Sequence, residues 1–185
     1  MDPIEQLQSV VDEAQRMIGS VRPYERSRRT PCSGWDVSAL IYHMIGTCAS
    51  FTAALQEASG GGDSTPDVGF DLAASYREIT DAVMKEWRAP GVLERTITLR
   101  LGPVPASRAI WILIADQALH TWDLAKALGR PYTMPADLAA TLLDLMQQWL
   151  KPEMRGPGKA FGPEVPCPED APIQDRAVAF AGRQP

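Results

Sequence analysis

The chain has 185 residues, 45% of them hydrophobic, and a formal net charge of −5. That length suits one domain of ordinary size, or one domain with a tail, and the apolar share excludes a disordered chain. The acidic balance gives no global pull toward nucleic acid, no apolar run approaches the roughly 18 residues that cross a bilayer, and the opening Met1-Asp2-Pro3-Ile4-Glu5 is acidic where a secretory leader is basic, so a soluble, cytoplasmic protein is expected.

Residues 2–19 repeat apolar positions at helical spacing, Ile4, Leu7, Val11, Ala14 and Ile18, and Gly19 is a plausible stop. Residues 20–35 read as loop, punctuated by Pro23 and Pro31. Asp36 is placed to cap a second helix, because its carboxylate can accept the free amide protons of the first turn. That helix runs to about Ser59 with the stripe Val37, Leu40, Ile41, Met44, Ile45, Cys48, Thr52 and Leu55. A glycine-led loop, Gly60 to Asp67, follows. A third helix is expected over about Phe70 to Arg88, on Leu72, Tyr76, Ile79, Val83 and Trp87. The period then changes to alternation at Thr96 to Leu101, a short strand or half of a hairpin ending at Gly102-Pro103. A fourth helix spans about Ser107 to Leu128, with Gly129 suited to its C-terminal cap, and a fifth about Pro135 to Leu150.

From Lys151 the chain is rich in Pro and Gly, which excludes a long helix before Ile173, and one short helical segment is expected over Gln174 to Ala181. The expected architecture is mainly all-α: four long helices in a bundle, an extra C-terminal helix, and a strand or hairpin before the fourth helix. Residues 1–150 would form the metal-binding bundle domain and 151–185 a Pro/Gly-rich tail packed on it.

Three cysteines without CxxC spacing, Cys32, Cys48 and Cys167, argue against a disulfide framework and a zinc knuckle. Cys48 falls on the second helix's apolar stripe and reads as core. Cys32 sits in the loop ahead of that helix, as a plain or a reactive thiol. The basic run Arg26-Ser27-Arg28-Arg29 is either a solvated loop or an anion-binding patch.

The chain has only two histidines, and both lie inside expected helices. Asp116 and His120 are four residues apart, so they stack on one helix face and can aim a carboxylate and an imidazole at one ion. His43 would add a third ligand from the second helix, the way helical bundles build metal sites. Three ligands leave coordination positions open, as in catalytic rather than structural zinc sites, and the donor set suits Zn²⁺, Ni²⁺ or Fe²⁺. Asp123 is either an acceptor for an imidazole N–H or a surface carboxylate. Trp35 and Trp122 read as packing residues.

Two segments carry a resemblance. Thr30-Pro31-Cys32-Ser33-Gly34-Trp35-Asp36-Val37, followed by Leu40 and His43, resembles the second-helix entry of the DinB/YfiT-like superfamily. More narrowly, it resembles the metal-binding N-terminal domain of mycothiol-dependent maleylpyruvate isomerases. Asp116 to Ala125, then Gly129-Arg130-Pro131, is similar to that family's second motif. The tail Phe161 to Val165 and the ending Gly182-Arg183-Gln184-Pro185 resemble a subgroup of uncharacterised actinobacterial members. The resemblance implies a divalent metal, zinc foremost, on His43, Asp116 and His120. It also implies a low-molecular-weight thiol such as mycothiol, joined to an electrophilic substrate. Arg28 or Arg29 would then hold a carboxylate of that cofactor. Two departures stand out: Asp116 replaces the isomerase's Glu, and a short tail stands where the isomerase has a further C-terminal domain, which speaks against maleylpyruvate isomerisation itself.

The readings to separate are a metal- and thiol-dependent S-transferase or isomerase, a non-catalytic module binding a metal or small molecule, and a helical structural protein with incidental histidines. No nucleic-acid or membrane partner is expected, and a homodimer is permitted.

Overall fold

The computed structural model describes residues 2–60, 69, 71–100, 102–156 and 159–185. The chain divides into two compact units, Met1–Arg130 and Pro131–Pro185. The loop expected at 61–67, the Phe70 start of the third helix and the strand residue Leu101 lie outside the described residues.

The first unit is built on four helices: α1 (Pro3–Gly19), α2 (Val37–Ala58), α3 (Leu72–Trp87) and α4 (Ala106–Leu128). Helix α1 packs on α3 and α4, and α2 packs on the same two, so the four close a bundle around one core. Apolar positions at helical spacing fill it: Leu7, Leu40, Met44, Val83, Trp87 and Leu113 are all buried. Truncating a side chain as large as Trp87 there would cost about 3–5 kcal/mol, through lost transfer energy and the cavity left behind.

The helix ends follow their caps. The Asp36 carboxylate accepts the Ala39 amide at 2.8 Å and starts α2. The third helix begins at Leu72 because Asp71 caps it, accepting from the amides of Ala73 and Ala74. Helix α4 ends where Gly129 turns left-handed at φ +65°, and the Arg130 amide reaches back to the Ala125 carbonyl at 3.0 Å.

The alternating segment is one arm of a hairpin. Strand β1 (Thr96–Leu99) pairs antiparallel with β2 (Gly102–Pro105), in the register Ile97 opposite Val104. The second arm carries two prolines and so lacks amide donors at both positions, which is tolerated because among the described residues the sheet has two strands and the arm is an edge. Ile97 is fully buried, and β1 packs on α2.

Among the described residues one helix, α2, is long and apolar enough to cross a membrane by length and composition. Gly46, Thr47, Ser50 and Thr52 interrupt its apolar sequence, so it contains no long unbroken apolar run. Its apolar face, from Val37 through Met44 to Leu55, is buried in the bundle core.

The second unit holds α5 (Ala136–Trp149) and α6 (Ile173–Phe180), which pack on each other. Arg155 fastens the intervening chain: its guanidinium donates to the carbonyls of Phe180 and Gly162 and lies over the Phe180 ring at 4.6 Å. Gly162 and Gly182 approach so closely that a Cβ on Gly182 would lie 2.8 Å from the Gly162 backbone. Its φ of +85° independently favours glycine.

Candidate metal centre

His43 lies on the second turn of α2, on the side turned toward α4. On α4, Asp116 and His120 are one helical turn apart and share a face, and Asp123 follows on the next turn. His43 Nε2 lies 3.1 Å from Asp116 Oδ1, and His120 Nε2 lies 3.7 Å from that same oxygen. The two imidazole rings meet edge to face, with centroids 4.8 Å apart. One donor atom from each of the three residues lies within 4.8 Å of the others. Two ligands on a tetrahedral ion with bonds near 2.0–2.2 Å stand roughly 3.3–3.6 Å apart, which the two carboxylate separations bracket.

The far sides of these groups are tied down. His120 Nδ1 is 2.9 Å from Asp123 Oδ2. A carboxylate accepts, so Nδ1 is the protonated nitrogen, and in the neutral ring Nε2 is the one that offers a lone pair. In that state Nε2 and Asp116 Oδ1 face each other as two acceptors. A proton or a cation between these atoms relieves their repulsion, and two imidazoles with one carboxylate, their ligand atoms within 4.8 Å of one another, are a donor set that fits a divalent ion. Asp123 is 0% exposed. Its burial decides between the two readings of that residue: it is an internal acceptor for the imidazole, not a surface carboxylate.

Asp116 is anchored through Oδ2, which accepts from Gln117 Nε2 at 3.0 Å. Gln117 is itself buried. Its amide also donates to the Met44 carbonyl at 3.2 Å, and its oxygen accepts from the Tyr76 hydroxyl at 2.7 Å. Burial holds the Tyr76 hydroxyl well above the ordinary phenol range, with smaller contributions from Cys48 and Asp116. Burial also pushes the Cys48 thiol far up, assisted by the Asp116 charge, so Cys48 is a neutral core thiol.

The loop ahead of α2 closes the site from outside. Trp35 lies against both imidazoles, its ring 4.7 Å from His43 and 5.9 Å from His120 by centroid, so it is more than core packing. Cys32 Sγ is 3.1 Å from Asp123 Oδ2 and 3.7 Å from His120 Nδ1. Trp122 is buried, with Lys126 over its ring at 4.9 Å. Arg28 pairs with Glu25 at 3.2 Å and reaches the Leu128 carbonyl at 3.3 Å, while Arg29 is exposed and its backbone bridges to Asp36.

Sequence reasoning missed Gln117, Tyr76 and the placement of Cys32. A signal existed for Tyr76: a tyrosine on an apolar stripe needs a partner for its hydroxyl.

The fold and the site together define a helical bundle that gathers two imidazoles and a carboxylate, from two facing helices, at a partly open point. The chain belongs to the mycothiol maleylpyruvate isomerase N-terminal domain family, whose model matches residues 7–125. Two uncharacterised proteins from two strains of Mycobacterium tuberculosis are each 32% identical over 186 residues, covering 99% of this chain and 98% of their own. The fold is similar to the crystal structure of a mycothiol-dependent maleylpyruvate isomerase, with a TM-score of 0.64 and 19% identity over 80% of this chain and 70% of that one. A histidine-to-alanine mutant of that enzyme matches with a TM-score of 0.62.

Proposed function

We propose that this chain holds one divalent ion, zinc foremost, on His43, Asp116 and His120, and uses it with a mycothiol-like thiol in an S-transferase or isomerase reaction. The observation that carries the reading is the convergence of His43 Nε2 at 3.1 Å and His120 Nε2 at 3.7 Å on Asp116 Oδ1, all three ligand atoms lying within 4.8 Å of one another. Membership of a family named for a mycothiol-dependent isomerase supports the thiol.

A divalent ion at this point supplies a lowered thiol pKa, so that a thiolate nucleophile is available at neutral pH. The protein's own residues do the rest. Asp123 fixes the His120 tautomer and ring plane, and Gln117 sets the direction of the Asp116 carboxylate. Trp35 covers one flank of the imidazoles and limits water there. His43 and Asp116, with side chains 34% and 19% exposed, leave an approach for a small thiol. Arg29 is the better placed of the two arginines to meet an anionic group of the cofactor, since Arg28 is engaged with Glu25.

The test is conjugation of mycothiol to an electrophile such as monochlorobimane, with ion-free and Zn²⁺-loaded protein. A Zn²⁺-dependent rate, lost in His120→Ala, is expected. No metal-dependent rate with any common cellular thiol would leave a site that binds without turnover.

A further inference from the structure

The loop at residues 30–36 reaches the site at two points, and the second has no role in the reading above. Its turn is closed by its own bonds. The Thr30 hydroxyl accepts the Cys32 amide at 3.2 Å and donates to the Trp35 carbonyl at 3.0 Å, and the Trp35 amide donates to the Cys32 carbonyl at 3.1 Å. A turn tied this way presents Trp35 to the imidazoles and, from the same few residues, the Cys32 thiol to Asp123 Oδ2 at 3.1 Å. That oxygen is also the acceptor for His120 Nδ1, at 2.9 Å.

We infer that Cys32 is a positioning residue for His120: its S–H donates to Asp123 Oδ2 and pins the oxygen that orients the metal-binding imidazole. The inference rests on the reading of His43, Asp116 and His120 as the ion's ligands. The Asp123 side chain sits on α4 like His120, so its bond to the imidazole lies within one helix. A second donor arriving from the loop adds a restraint from outside the helix. A thiol is a weak donor, but bonds to a buried carboxylate are charge-assisted and strengthened where water is absent. In this role the sulfur keeps its proton, so Cys32 neither ligates the ion nor attacks a substrate. The loop's docking and the ion's affinity are thereby coupled through one carboxylate.

The test uses the full chain, ion-free, titrated with Zn²⁺ against a chromophoric competitor, for wild type, Cys32→Ala and Cys32→Ser. Loss of an outer partner of a ligand commonly weakens metal binding about 10–100-fold. Because Asp123 itself remains, about tenfold is expected for Cys32→Ala, with most of it restored by Cys32→Ser, which keeps a donor. Co²⁺-loaded wild type should show no near-ultraviolet sulfur-to-cobalt band. Equal Zn²⁺ affinity in all three proteins, or equal losses in alanine and serine variants, would overturn the positioning role. A sulfur-to-cobalt band abolished by Cys32→Ser would overturn it by making Cys32 a ligand. Wild type that takes up no ion would remove the reading of the site and this inference together, whereas normal wild-type binding with unchanged variants removes the inference alone.

Discussion

His120 and His43 offer the same imidazole nitrogen to the same carboxylate oxygen, yet α4 and α2 support them differently. His120 is 11% exposed, and its far nitrogen is held by a fully buried Asp123. The neighbouring Asp116 is braced through Gln117 to Tyr76 and the Met44 carbonyl. His43 is 34% exposed and is met by the Thr47 hydroxyl at 3.4 Å and the face of Trp35. Helix α4 thus carries a half-site already organised by buried hydrogen bonds, and α2 adds a ligand with more freedom to adjust. The polar network on α4 is costly to bury unless every member is paired, so its completeness there marks the half of the site that the fold is built around.

The contrast can be broken most sharply at the ligands. Asp116→Ala and His120→Ala should remove Zn²⁺ binding by calorimetry, since each deletes an organised donor. His43→Ala should leave weak residual binding, with a loss exceeding the roughly 10–100-fold typical of an outer partner. A reversed order would show that α2, not α4, carries the organised half.

Tyr76→Phe tests the brace without touching a ligand. It leaves Gln117 Oε1 buried without its donor, and a loss of about 1–3 kcal/mol in unfolding free energy is expected. Zn²⁺ affinity should fall by less than in any ligand variant. An unchanged denaturation midpoint would mean the glutamine finds another partner.

The smallest effect concerns how the loop is anchored. Glu25 accepts the Arg22 amide at 2.9 Å and the Arg130 guanidinium at 2.7 Å. The Arg22 amide foremost, then Arg130 and Arg28, hold its carboxyl below the usual range against an opposing push from burial. A carboxyl lowered in the folded state contributes stability that is complete above its unfolded value, near 4.3, and is lost as pH falls through the folded value. Glu25→Gln should therefore lower the urea midpoint at pH 7, with the gap from wild type closing below about pH 4. A gap that widens with acid would contradict the assignment.

Much of the bundle was legible because its signals are local. Helical spacing of apolar residues found α1 to α4, and Asp36 and Gly129 mark helix ends by chemistry acting within a few residues. The third helix starts at Leu72, later than the apolar pattern alone suggests, because Phe70 continues that pattern across the Asp71 cap. The second hairpin arm was hidden by its prolines, which read as loop. At the site, the i, i+4 spacing of Asp116 and His120 was readable, and His43, the chain's other histidine, falls on the second helix as a third candidate ligand, which the resemblance then reinforces. The Cys32 contacts, 88 and 91 residues away along the chain, have no local signature. Nor did Asp123 declare itself, because spacing alone does not say which side of α4 is buried.

The most direct measurement is a calorimetric titration of ion-free protein with Zn²⁺, in parallel with His43→Ala and His120→Ala. One equivalent in wild type, weakened in the first variant and absent in the second, is the expected result. No uptake by wild type, or a full equivalent retained by folded His120→Ala, would contradict a metal centre shared between α2 and α4.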